Sequence, residues 1–317
     1  MSAREWFADG FPRALALTRD AVVWLDLGDR SQATAKGPYR LVATPKRGGP
    51  SRTLAVRDRP LWTVGATDHF VVFTEETSER YVTAAFVVDM QGGEPQQLPF
   101  APGLVPPVAI AESVFIASGD QLYEISGSEV AGCVRGLVEE CGAASCLGMA
   151  NHAAVSGTHA YWSTTGDSAA NAAIHRAALT GSVPSPVLEL PPDEGAGHLA
   201  LVEDTLYFTH CRQDTSVGRV LESSLRAMNI VTGETRMIAS LDRRSTAALT
   251  SHGHTLYWVR FSRGGVGDVA GLFRVDAATG VITEIDASIP TTAALAADDE
   301  HVYVGTHKGI VRYPHVG

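Results

Sequence analysis

"HAYWST", residues 159–164, sets Tyr161 beside Trp162 between a polar turn and the Gly166–Asp167 pair. Alone it reads equally as a binding cluster with His159 and Asp167 or as one copy of a repeat. The rest of the chain decides. The run returns as "AVVWLD" at Trp24, "FVVFTE" at Phe73, "SVFIAS" at Ile116, "TLYFTH" at Phe208, "TLYWVR" at Trp258 and "HVYVGT" at Val304. With Trp162 in its place, the intervals are 49, 43, 46, 46, 50 and 46 residues. A period this regular makes the aromatic pair part of a repeated unit.

Each copy has the same neighbours. A short run of small and apolar residues precedes it ("HAAV", "HLAL", "TAAL"), separated from it by a polar turn such as "ATD" or "VED". An alternating run follows ("AAFVVDM", "LFRVDAA"), then a Gly-bearing turn ("VTGET", "ATGVI") and a last short run such as "TRMIAS". Period-two alternation broken by turn residues predicts four antiparallel strands per unit. One small sheet cannot bury both faces, so such units stack radially as propeller blades. Small residues suit the crowded inner strand, and Tyr and Trp fill the wider gaps between blades. A parallel α/β fold would need helical crossovers, and no segment shows the 3.6-residue period for them.

The expected architecture is therefore an all-β, seven-bladed β-propeller of four-stranded blades, a single domain over 1–317. Its blades are expected near 11–57, 61–100, 105–140, 150–191, 197–241, 245–288 and 291–316. The last unit has only three strands, and residues 3–8 ("REWFA" and flanks) precede the first unit without one of their own. The N-terminal segment is thus expected to close the last blade as its outer strand.

The aromatic run, framed by a polar turn and a Thr or Ser, resembles the YWTD-like propeller repeats and the related NHL-like and bacterial single-chain propeller repeats. The resemblance spans roughly 11–316. No unit reads a complete Tyr-Trp-Thr-Asp, and "YWST" comes nearest. Such repeats imply a ring of six or seven blades and carry function on the loops between strands two and three, and around the mouth of a central channel. They specify architecture and leave activity open.

The loops on that face vary from "SGD" in unit three to "DLGDRSQATAKGP" in unit one and "HCRQDTSVGRVLESS" in unit five. Variable loops on a constant scaffold carry specificity. Counting two residues back from the small residue of the first strand gives Thr63, His152, His198, Thr246 and Thr292, with Asn151 beside His152. These residues are candidate ligand contacts at the channel mouth, and His210 falls on the same face. Two readings stand for His152 and His198: an acid/base or metal centre, or a hydrated polar rim. The turn carboxylates (Asp20, Asp68, Glu112, Glu203, Asp204, Asp298, Asp299) recur on the opposite face as turn caps.

A net charge of −10 with no Lys/Arg run argues against a nucleic-acid partner. No stretch is long and apolar enough to span a membrane, and "MSAREWFADG" has no signal-like core, so a cytoplasmic, monomeric protein is expected. Cys133, Cys141 and Cys146 match no common zinc spacing. Nucleotide-binding, hydrolase-elbow, zincin and EF-hand patterns are missing, and His252-x-His254 lacks further ligands nearby. The leading expectation is a non-enzymatic binding or scaffold module for a protein partner or small ligand, with no cofactor. The alternative is a lyase or hydrolase with a metal- or histidine-based centre at His152 and His198, a divalent metal being its cofactor in the metal-based form.

Overall fold

In the computed structural model, the described residues are 4–28, 38–78, 83–100, 106–118, 121–126, 133–136, 150–164, 172–180, 182, 184–214, 219–241, 246–261 and 270–315. They form seven four-stranded antiparallel sheets, the architecture of a seven-bladed β-propeller. Strand β1 (Glu5–Asp9) comes before the first blade, which holds β2 (Pro12–Leu17), β3 (Ala21–Asp26), β4 (Tyr39–Pro45) and β5 (Arg52–Arg57). Blade two is β6 (Leu61–Ala66), β7 (Phe70–Glu76), β8 (Thr83–Asp89) and β9 (Gln96–Gln97). Blade three is β10 (Val108–Ile110), β11 (Ser113–Ser118), β12 (Gln121–Ser126) and β13 (Cys133–Gly136). Blade four is β14 (Ala150–Val155), β15 (His159–Thr164), β16 (Ala173–Ala178) and β17 (Ser185–Glu189). Blade five is β18 (Glu194–Val202), β19 (Thr205–Asp214), β20 (Arg219–Asn229) and β21 (Thr235–Ser240). Blade six is β22 (Thr246–His252), β23 (Thr255–Phe261), β24 (Ala270–Asp276) and β25 (Ile282–Ile289). Blade seven is β26 (Thr291–Ala297), β27 (His301–Thr306) and β28 (Gly309–Pro314), with β1 as its fourth strand.

The hairpins are made by short polar side chains. Asn229 accepts hydrogen bonds from the N–H groups of Val231 and Thr232 at 2.9 Å, and Asp276 accepts from Thr279 N at 2.7 Å. An Asx side chain bonded to the backbone two or three residues on turns the chain between strands three and four. Among the described residues no helix is long and apolar enough to cross a membrane.

Contacts divide the chain into two compact units. The first (Met1–Ser118, Leu122–Gly136 and Pro290–Val316) holds blades seven, one, two and three. Its core lies in the gaps between successive blades. Val23, Leu25 and Leu41 of blade one meet Val64, Val71 and Phe73 of blade two, and Phe70 and Val72 meet Val114 and Ile116 of blade three. The first strands lie against one another, β26 on β2, β2 on β6 and β6 on β10. Small residues permit this approach. A Cβ on Gly65 would stand 2.8 Å from the Cβ of Pro107.

In the second unit (chiefly Leu137–Ile289) the same plan joins blades four, five and six. Tyr161 packs with Leu199, Leu206 and Phe208 of blade five, and Tyr207 with Trp258 and Phe273 of blade six. The opening pair is therefore scaffold, with Tyr161 and Trp162 only 2% and 1% exposed. Burial pushes the Tyr161, Tyr207 and Tyr257 phenols up, Tyr257 to about 12, against the pull of nearby arginines. They remain protonated donors, and the Tyr207 hydroxyl gives its proton to Ala277 O at 3.0 Å.

The turn carboxylates are more than caps. Arg19 pairs with Asp68 across blades one and two, His69 with Glu112 across two and three, and His254 with Glu203 across five and six. Asp298 caps the N–H groups of Glu300 and His301 and also holds Lys46 of blade one at 2.7 Å. Burial would raise the Asp298 carboxyl, but Lys46 and those two N–H groups outweigh it and hold it below the usual range.

Blade seven is completed as expected. β1 runs antiparallel to β28, from Glu5 opposite Arg312 to Asp9 opposite Gly309. Arg312 donates to Glu5 and to Lys46 O, both at 2.9 Å, and Phe7 meets Tyr303 edge-on at 5.2 Å. Gly309 sits at φ +150°, and a Cβ there would lie 1.9 Å from Ala8 O. Only glycine lets the N-terminal strand dock.

Candidate functional site

The first strands share a device that counting residues does not reveal. A β-bulge interrupts the pairing of β2, β6, β14, β18, β22 and β26 with their second strands. In β14 and β18 the bulge re-aims side chains. His152 lies opposite Ser163, while Gly197 and His198 occupy the bulge between Ala196 and Leu199. The imidazoles of His152 and His198 meet with centroids 3.9 Å apart and planes tilted by 39°. Ser163, fully buried, donates to Gly197 O at 3.0 Å and ties blade four to the bulge of blade five. Ser163→Ala should leave that carbonyl without its partner and cost about 1–2 kcal/mol, measured as a lower urea midpoint at unchanged slope.

Loss of water around the rings disfavours the imidazolium forms. Burial, and then the neighbouring His198, hold His152 well below its usual pKa, and burial takes His198 down to about 4. Both are neutral at physiological pH, each offering one N–H donor and one lone pair. Among the described residues no three His, Cys, Asp or Glu side chains converge as a metal-ligand set.

The other candidates are placed differently. Thr63 is only 7% exposed, and its hydroxyl and N–H are spent on Thr74 Oγ1 at 2.8 and 3.1 Å. It is an internal link between β6 and β7 rather than a rim residue. In blade six the position level with His152 is Ala248, opposite Val259, and Thr246 lies further out opposite Arg260. In blade seven Ala294 precedes the Leu295–Val304 pair as His198 precedes Leu199–Phe208, so Ala294 and not Thr292 is level with His198. Ala248 and Ala294, the small residues from which the count starts, themselves stand at the level of the histidines, so counting back from them runs into the bulge and loses register. The side chains of Asn151, Thr246, Thr292 and Cys133 lie outside the described residues, as do Cys141, Cys146 and loop segments 29–37, 79–82, 165–171, 215–218 and 262–269.

His210 does not sit open on the loop face. It is 2% exposed, with Nε2 2.6 Å from Glu194 Oε2 and Nδ1 3.4 Å from Ser224 Oγ. β18 supplies Glu194, since blade five begins there and not at 197. The order Glu–His–Ser resembles a nucleophile chain, but Ser224 has no exposed surface and its oxygen also accepts from Arg226 Nε at 3.2 Å. A nucleophile must reach its substrate. This chain knits β18, β19 and β20 together.

A cleft of about 460 Å³ opens on the loop face of the first unit, between the end of β5 and blade two. Arg57 lines it, its Nε on the Glu75 carboxylate and its Cζ 4.6 Å above the Phe86 ring. Asp58, Arg59, Glu76, Thr77 and Gln97 complete its polar walls. The sequence signal is the charged "RDR" at 57–59, which falls at the blade-to-blade link and outside the strand-two-to-three loops.

No family model matches the chain, and no curated protein does. Solved structures share its fold. A xyloglucanase from Xanthomonas campestris superposes with a TM-score of 0.61 at 14% identity, covering 98% of this chain and 53% of that one. This chain thus spans about half the length of that enzyme. BamB from Moraxella catarrhalis gives 0.55 at 12% identity over 98% and 99% of the two chains. The β-propeller domain of the Trilobed protease from Pyrococcus furiosus gives 0.60 at 10% identity over 98% and 94%. At these identities the likeness is one of fold.

Proposed function

We propose that this chain is a binding module, a propeller scaffold that receives a small ligand or protein partner on its loop face. The observation that carries this reading is Arg57 in the first-unit cleft. Its guanidinium is pinned on one edge by Glu75 and on its face by Phe86. A charge immobilised beside an open cleft is pre-organised for recognition. In this reading the module works as a cytoplasmic monomer and calls for neither cofactor, membrane nor nucleic acid; the net charge of −10 supports the last point. The test is a thermal-shift screen of polar small molecules on the wild-type chain and on Arg57→Gln. Ligands that raise the melting temperature of the former only support the reading, and identical responses from both refute it for this cleft.

The 3.9 Å contact between His152 and His198 favours a second reading, a lyase or hydrolase centre with a divalent metal. Two neutral imidazoles can share a metal ion, though a catalytic site needs at least one further ligand. Titration with Zn²⁺ and Mn²⁺ against the His152→Ala, His198→Ala double variant decides it. Equal, weak uptake by both proteins would remove the support for this enzyme reading.

A further inference from the structure

We propose that the cleft between blades one and two takes a small zwitterion of the α-amino-acid type, a free amino acid or a dipeptide. The inference rests on the reading of the loop face as a ligand-binding surface and adds the ligand's chemistry.

Arg57 supplies the first argument. Of its five N–H donors, Nε is held by Glu75, and among the described residues the four on Nη1 and Nη2 have no hydrogen-bond partner. Glu75 is itself nine-tenths buried, so the pair is anchored from below. A planar fork fixed by a carboxylate at one edge and a ring on its face matches the two oxygens of a carboxylate. Lysine in its place would offer a point charge without that geometry.

The second argument is the charge of the walls. The lining holds Arg57 and Arg59 together with Asp58, Glu75 and Glu76, one formal negative charge in excess. Such a lining repels a dianion or phosphate, and two guanidiniums repel a simple cation. A molecule carrying both signs a few ångströms apart meets complementary groups with each end. The third argument is the apolar part of the lining, where Val56 and Ala84 offer surface for a side chain or a peptide's second residue, while Phe86 is spent between Arg57 and Phe73. The volume of about 460 Å³ lies within the range of small-molecule sites.

The experiment is calorimetric titration of the full chain with L-leucine and glycyl-L-leucine. Acetyl-L-leucine (no ammonium), leucinol (no carboxylate), acetate and glucose serve as comparison probes. The expected result is saturable binding of a zwitterion, weakened about 10-fold or more by removing either charge or by Arg57→Lys. Arg57→Lys keeps the cation for Glu75, and its melting temperature should match the wild type, so weaker binding would not reflect unfolding. Zwitterion binding unchanged in Arg57→Lys and Arg57→Gln overturns the proposal. So does a failure of both zwitterions to bind. If acetate or glucose binds instead and depends on Arg57, the ligand class falls while the cleft stands as a binding site. If no probe responds to either substitution, the ligand class and the cleft reading fall together.

Discussion

Deleting residues 1–9 should lower the melting temperature by about 10 °C or more, a loss on the order of 5 kcal/mol, and leave much of the product aggregated. Within that segment Glu5–Asp9 form the fourth strand of blade seven, paired from Glu5–Arg312 to Asp9–Gly309. Their removal strips a ladder of backbone hydrogen bonds from β28. It also uncovers the gap where Ala8 packs with Val22, Trp24, Tyr303 and Ile310. The Glu5–Arg312–Lys46–Asp298 chain loses one end, so among the described residues Arg312 keeps its hydrogen bond to the Lys46 carbonyl and loses the one to Glu5. An open strand edge is also a template for pairing with other molecules. Differential scanning fluorimetry and light scattering read both effects. Gly309→Val is the matched single substitution, because its side chain would occupy the place of Ala8 O. A truncated chain that melts with the wild type would show that the N-terminal strand contributes no stability.

Acidification from pH 7 to pH 4 should remove about 3 kcal/mol of stability through His198 alone. Its native pKa is about 4, lowered by burial from an ordinary 6.5. Between those values the unfolded chain holds a proton that the native chain does not, so stability rises with pH across that window. The contribution is complete above about 6.5 and is lost as pH falls toward 4. His152 acts in the same direction, because burial and a protonated His198 both oppose its imidazolium. Asp298, held below the usual carboxylate range, gives way only at lower pH, so the window belongs to the histidines. Urea midpoints of the wild type and His198→Phe at pH 7, 5.5 and 4.5 test this. The phenylalanine keeps a flat ring against His152 and should flatten the slope. Parallel slopes in the two proteins would refute the assignment.

The repeat was legible because each blade has to meet the same demands. A residue like Trp258 fills an inter-blade gap, Ala154 and Gly65 allow first strands to approach, and Asn229 or Asp276 turns a hairpin. Those needs recur with the period of the fold, and the composition recurs with them. The register of the first strands was not legible. Runs such as "TAAL" hold two small residues, and nothing in the pattern says which matches Ala154; pairing shows that Ala248 and Ala294 stand level with the histidines, so Thr246 and Thr292 do not. Thr63 follows from counting back from the small residue and His210 from its place at the loop-face end of the second strand, and position alone does not show a side chain's partners. Each is satisfied inside its own blade, by Thr74 in one case and by Glu194 and Ser224 in the other.

By itself the sequence determined the class of fold, the number of blades and the strand that completes the last one, because these follow from local propensity repeated along the chain. It also supplied the His152 and His198 positions, which the bulges of neighbouring strands bring to 3.9 Å. Only the tertiary structure decided which polar groups are spent and which remain available. That depends on partners distant in sequence: Arg57 meets Glu75 and Phe86 across a blade boundary, while His210 meets Glu194 and Ser224 across three strands. The available donors lie on Arg57, where packing fixes the guanidinium and leaves its outer edge unpaired among the described residues.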